Sequence, residues 1–91
     1  MTFKQFTEYL LHEKNYSALT VKAYQTDLEN FSEFILKQYD SNTINDVNYS
    51  QIRSWIVNLV EDGITNRTIN RKVSSLNSYY KFLLKIIILF F

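Results

Sequence analysis

GITNRTINRKVSSLNSYYKFLLK, residues 63–85, decides the fold. At about 100° per residue, Ile69, Val73, Leu76, Tyr80 and Leu83 fall in one apolar sector. Arg67, Arg71, Ser74, Ser78, Lys81 and Lys85 fall on the opposite side. That spacing predicts one long helix with a core stripe and a basic, hydroxyl-rich stripe. Thr65 is a good N-cap for it, and Gly63 stands where the preceding helix needs a left-handed residue to end. The stretch also lacks acids. All nine Asp and Glu lie before Gly63, together with half of the ten Lys and Arg. The charge is therefore about −4 before Gly63 and +5 from there on, although the formal net charge is only +1. A one-signed basic end is the electrostatic footprint of a phosphate-backbone partner, or else a solvated helix face without acids.

Upstream of this helix, three more helical segments are expected. Segment one covers about 2–13, with Thr2 as N-cap and Phe3, Phe6, Leu10 and Tyr9 as its apolar stripe. NYS at 15–17 interrupts the pattern. Segment two starts near Ser17 and reaches about Gln38. Val21, Tyr24, Leu28, Phe31 and Ile35 give the three-four alternation of a buried face. Lys22, Thr26, Glu29, Glu33 and Lys37 lie opposite, and acids in mid-helix leave only the first turn, with Thr20 and Lys22, suited to a polyanion. DSNTINDVN at 40–48 has loop composition. Segment three, from Tyr49 or Ser50 to Asp62, has Ile52, Trp55, Ile56, Leu59 and Val60 on its buried side. Proline is absent and glycine occurs once, which suits long helices joined by polar loops. The expected fold is all-α, a compact bundle of about four helices.

With 91 residues the chain can form one domain with a modest core, aided by seven Phe, seven Tyr and Trp55. Tyr9, Tyr16, Tyr24, Tyr79 and Tyr80 are expected at the core or its rim. There is no Cys, which removes disulfides and thiolate metal sites and suits a cytoplasmic protein. His12 is the one histidine and is expected to be an ordinary surface or boundary residue; no neighbouring set of ligands or nucleophiles needs it. A single Gly gives no phosphate-cradling loop. No cofactor or metal is expected. LLKIIILFF at the far end is too short to span a bilayer, where about 20 residues are needed, and no signal peptide is read at the start. These residues describe a binding module and not an enzyme.

Taken as a set, three blocks resemble a known family. They are YS..T...Y..DL..F at 16–31, IR.WI..L at 52–59 and GIT.RTI.RK.S.L...Y.FL at 63–83. Over roughly residues 3–85 the chain resembles the N-terminal core-binding domain of the tyrosine recombinases, the phage-integrase and Xer-like site-specific recombinases. The resemblance implies a SAM-like helical bundle that clamps one face of duplex DNA while a catalytic domain grips the other. It also implies that segments two and four lie toward the major groove and its flanking phosphates. The matching positions are Ser17, Thr20 and Lys22 in segment two, and Thr65, Asn66, Arg67, Thr68, Arg71, Lys72 and Ser75 in segment four. Charge and resemblance agree on Arg67 and Arg71. Lys72 flanks the core sector, so its head is expected to reach a phosphate or water.

The family's catalytic Arg, Lys, His-x-x-Arg pair, further His or Trp, and nucleophilic Tyr have no matching positions here. The expected division is a DNA-binding domain over 1–85 and an apolar tail over 86–91. That tail would continue segment four, dock as a small apolar element, or mark a truncation at the start of a linker. If exposed, it is an aggregation hazard, which favours burial in the fold or in a partner. Duplex DNA, a catalytic domain outside this chain and other recombinase protomers in a synaptic tetramer are the implied partners, with no membrane. The competing reading is a standalone protein-interaction or regulatory module built on the same bundle.

Overall fold

The computed structural model describes residues 3–90 and the side chains of 3–86, and four helices run through the described residues. They are α1 (Lys4–His12), α2 (Ala18–Tyr39), α3 (Tyr49–Glu61) and α4 (Asn66–Phe90). The proposed Thr2 cap lies outside the described residues. The apolar stripes converge on one core of Phe3, Phe6, Leu10, Val21, Leu28, Phe31, Ile35, Trp55, Leu59, Ile69, Leu76 and Tyr79. Rings carry much of it. Phe31 and Trp55 lie 4.8 Å apart between centroids, and Phe6 meets Tyr79 edge-on at 5.4 Å. Among the described residues the architecture is helix-only, and with the burial pattern it agrees with the all-α, SAM-like bundle.

Local chemistry sets the helix ends. Ser17 caps α2, its side chain accepting from the Thr20 amide at 3.2 Å. Asn48 and Gln51 form a reciprocal capping box on α3. At the other end of α3, the Gly63 amide donates to the Val60 carbonyl and the Ile64 amide to the Leu59 carbonyl. This is a Schellman closure, and Gly63 holds φ +80° within it. Thr65 then caps α4 by accepting from the Thr68 amide at 3.3 Å. α2 and α4 run antiparallel. Asp27 of α2 meets Arg71 and Ser75 of α4, while Tyr24, one turn earlier, lies near Ser78, further along α4.

Three placements differ from the sequence pattern. Val60 is 58% exposed: on the wheel it sits about 80° from Ile52, beyond the stripe that Trp55 and Leu59 centre. The 40–48 loop is not merely a surface connection. Ile44 within it is fully buried, and Tyr80 and Tyr79 donate hydrogen bonds to the Ile44 carbonyl and to Asn45 Oδ1, both at 2.6 Å. On α4, Lys72, Ser75 and Tyr79 join Ile69 and Leu76 in the buried sector. That sector is thus rotated by roughly 60° from the one the apolar residues alone define. The helix continues through the apolar tail to Phe90; the side chains of 87–91 lie outside the described residues.

Candidate nucleic-acid interface

The rotation of α4 follows from one acid. Asp27 lies at the edge of the apolar stripe of α2 and is 0% exposed. Its Oδ1 accepts from Arg71 Nη2 at 2.8 Å and from Lys72 Nζ at 3.1 Å. Its Oδ2 accepts from Arg71 Nε at 3.1 Å and from Ser75 Oγ at 2.8 Å. Four donors on two oxygens fill the carboxylate's acceptor sites. The Arg71 guanidinium is held above its ordinary value, first by its hydrogen bond to Asp27, against the opposing pull of burial. Lys72 Nζ also sits 6.0 Å from the centre of the Trp55 ring.

Asp27 therefore separates the sequence-derived contact residues into two kinds. Lys72 and Ser75, both named as DNA contacts, are buried and face Asp27. The head of Lys72 is turned to the Asp27 carboxylate at 3.1 Å, a partner for an acid that would be costly unpaired at that depth. Unlike the exposed mid-helix acids Glu29 and Glu33, Asp27 directs its charge inward, away from a polyanion.

Seven of the remaining eight form two groups. Ser17, Thr20 and Lys22 are exposed on the first turns of α2, with Ser17 Oγ and Thr20 Oγ1 2.9 Å apart. Thr65, Asn66 and Arg67 are exposed at the start of α4, with half-buried Thr68 bonded to Thr65 at 3.1 Å. Arg71 stands between the groups, its side chain 46% exposed even though Asp27 holds it. Neither helix has an acid in its first turn, so both positive dipole ends are uncompensated. Because the helices are antiparallel, the groups lie at opposite ends of the pair. Ten residues of α2 and four of α4 separate Ser17 from Arg67, roughly 20 Å at 1.5 Å per residue.

Elsewhere on α4, Lys85 meets Glu13 at 3.7 Å and the Tyr9 ring at 4.9 Å. Among the described residues, Arg67 and Lys81 have no acid within ion-pair distance, and both are exposed. Lys81 belongs to the basic stripe but was absent from the carried-over positions. Asp27 was missed altogether as a site residue. Its signal was present in the DL of the first block, as an acid on the flank of a core stripe. His12 is exposed at the end of α1. A cleft of about 440 Å³ lined by Phe3, Glu29, Ser32, Glu33, Leu36 and Asn42 holds two acids and no base, unlike a polyanion site. No described helix is long and apolar enough to cross a membrane.

Comparison with known proteins gives this arrangement a context. The family model for the phage integrase N-terminal SAM-like domain matches residues 3–85. Tyrosine recombinase XerC of Bacillus pumilus (strain SAFR-032) is 44% identical over 90 residues, covering 93% of this chain and 29% of that protein. The XerC of Bacillus licheniformis is 42% identical over 80 residues, covering 88% of this chain and 26% of its own length. The XerC of Bacillus subtilis (strain 168) is 39% identical over 82 residues, covering 90% and 27%. The chain thus spans less than a third of the length of these curated relatives. No solved structure matches it. With the family pattern running through all four helices, the chain belongs to the phage integrase N-terminal SAM-like domain family of the tyrosine recombinases.

Proposed function

We propose that this domain is the DNA-binding arm of a tyrosine site-specific recombinase. It clamps duplex DNA at the recombination site, while strand cleavage and joining belong to a catalytic domain outside residues 1–91. The observation that carries the reading is the family match over a chain whose acid-free α4 presents Arg67, Arg71 and Lys81 outward. The first turns of α2 and α4 supply hydroxyls and amides with positive dipole ends, which suit phosphate oxygens. A separation of roughly 20 Å between them is less than one turn of duplex, about 34 Å, so both ends can reach one face of the DNA. Other protomers of a synaptic tetramer are further partners in this reading.

The test is fluorescence anisotropy of a labelled duplex across a salt series. Lys22, Arg67, Arg71 and Lys81 make about four phosphate contacts, so log K is expected to fall against log salt with a slope of roughly −4. Little sequence preference is expected from the arm alone. A second reading, a protein-interaction module, draws on Tyr49, Val57 and Val60, which are 78%, 47% and 58% exposed along α3. Self-association by sedimentation, with no DNA binding at low salt, would favour it.

A further inference from the structure

The Asp27 cluster joins fold and interface at one side chain. Asp27 uses the Nε–H and one Nη2–H of Arg71, which is the side edge of the guanidinium fork. The end edge, made of the second Nη2–H and the adjacent Nη1–H, is left over on a side chain that is 46% exposed. Lys72, whose side chain is 9% exposed, supplies a second positive charge to the same carboxylate. The cluster of two cations and one anion keeps a net positive charge, and Arg71 is the member that reaches solvent.

We propose that Asp27 is a positioning residue for DNA contact. It fixes Arg71 so that the free Nη1/Nη2 edge points outward as a ready bidentate donor to a backbone phosphate. Lys72 balances the buried carboxylate, so the outward charge of Arg71 is not cancelled. A guanidinium held in place before binding gives up less rotamer freedom on contact than a free one, and its planar fork matches the two phosphate oxygens. This inference rests on the DNA-binding reading and adds to it a buried acid that strengthens polyanion binding. Simple charge counting predicts the reverse, since removing an acid should help.

The experiment is duplex anisotropy over a salt series for wild type, Asp27→Asn, Arg71→Ala, Arg71→Lys and the Asp27→Asn/Arg71→Ala pair, each checked for folding by circular dichroism. Arg71→Ala is expected to reduce the salt slope by about 1. Arg71→Lys keeps the charge and the slope but binds roughly three- to tenfold more weakly, because a point charge replaces the fork. Asp27→Asn binds more weakly than wild type despite its added positive charge, and the double variant is no weaker than Arg71→Ala alone. Asp27→Asn binding as tightly as wild type, or losses that add fully in the pair, would overturn the proposal. If Asp27→Asn does not fold, Arg71→Lys decides, since its change lies at an exposed position: binding equal to wild type sinks the inference. Wild type that ignores duplex at low salt removes the DNA-binding reading itself, a result distinct from all of these.

Discussion

Tyr80 donates its hydroxyl hydrogen to the main-chain carbonyl of Ile44 at 2.6 Å, and Ile44 is fully buried. The contact ties the middle of α4 to the α2–α3 loop and satisfies a carbonyl that lies beyond easy reach of water. Tyr80→Phe keeps the ring and leaves that carbonyl without its partner, which costs about 1–3 kcal/mol. Tyr79→Phe should cost less, because its acceptor belongs to Asn45, an exposed side chain that can turn to water. Urea unfolding followed by Trp55 fluorescence would rank the two; equal costs would show that the Ile44 carbonyl finds another donor.

The same tyrosines predict an alkaline limit. Tyr80, Tyr79 and Tyr24 are all raised above the ordinary value of 10.0, chiefly by burial. A raised value means that the fold favours the neutral phenol. Their contribution is therefore fully present below pH 10 and is lost as the pH rises from there through the raised values. The melting temperature should fall above pH 10, and Tyr80→Phe should fall less steeply over that window while being less stable at neutral pH. Parallel curves for the two proteins would show that Tyr80 does not contribute to the alkaline limb.

Asp27 and Lys72 give a stability test with a built-in contrast. Asp27→Ala strands two cations, one of them buried, and should cost about 3–5 kcal/mol. Lys72→Met keeps an unbranched stem near Trp55 and leaves Arg71 and Ser75 on the carboxylate, so the cost should be under about 1.5 kcal/mol. Since Lys72 balances Asp27, Lys72→Met should weaken duplex binding, because the carboxylate then offsets the outward charge of Arg71, whereas Arg67→Ala should reduce the salt slope by about 1 through loss of a direct phosphate contact. Duplex binding by Lys72→Met equal to wild type would show that Lys72 does not keep the charge of Arg71 available.

Most of the fold was legible because apolar spacing and caps are local signals. Ser17, Thr65 and Gly63 marked helix ends by their own chemistry, and Val21, Leu28, Phe31 and Ile35 marked a buried face by period. What periodicity could not show is burial by pairing. Lys72 and Ser75 score as polar on any wheel, and only Asp27, more than forty residues away in sequence, makes their interior position affordable. Ile44 was hidden for a related reason, since one apolar residue inside a polar loop has no period to reveal it. The candidate interface was half legible. Arg67 and the two capped helix starts follow from charge and hydroxyl placement, but the dual engagement of Arg71 needs the antiparallel register of α2 and α4.

Gly63 sets where the candidate interface begins. Residues 62–65 join α3 to α4, and the Schellman bonds from Gly63 and Ile64 deliver the chain directly into the Thr65 cap. A Cβ added at Gly63 would meet nothing within 4 Å, so Gly63→Ala carries no clash. It does carry the backbone penalty of φ +80°, about 1–2 kcal/mol for an L side chain. Gly63→Asn should cost less, because asparagine tolerates the left-handed region. Both variants should bind duplex like wild type once folded, since Arg67 and Thr65 keep their places on α4. Loss of DNA affinity in a fully folded Gly63→Ala protein would mean that the turn is itself a DNA contact, its main chain approaching a phosphate more closely than a Cβ permits.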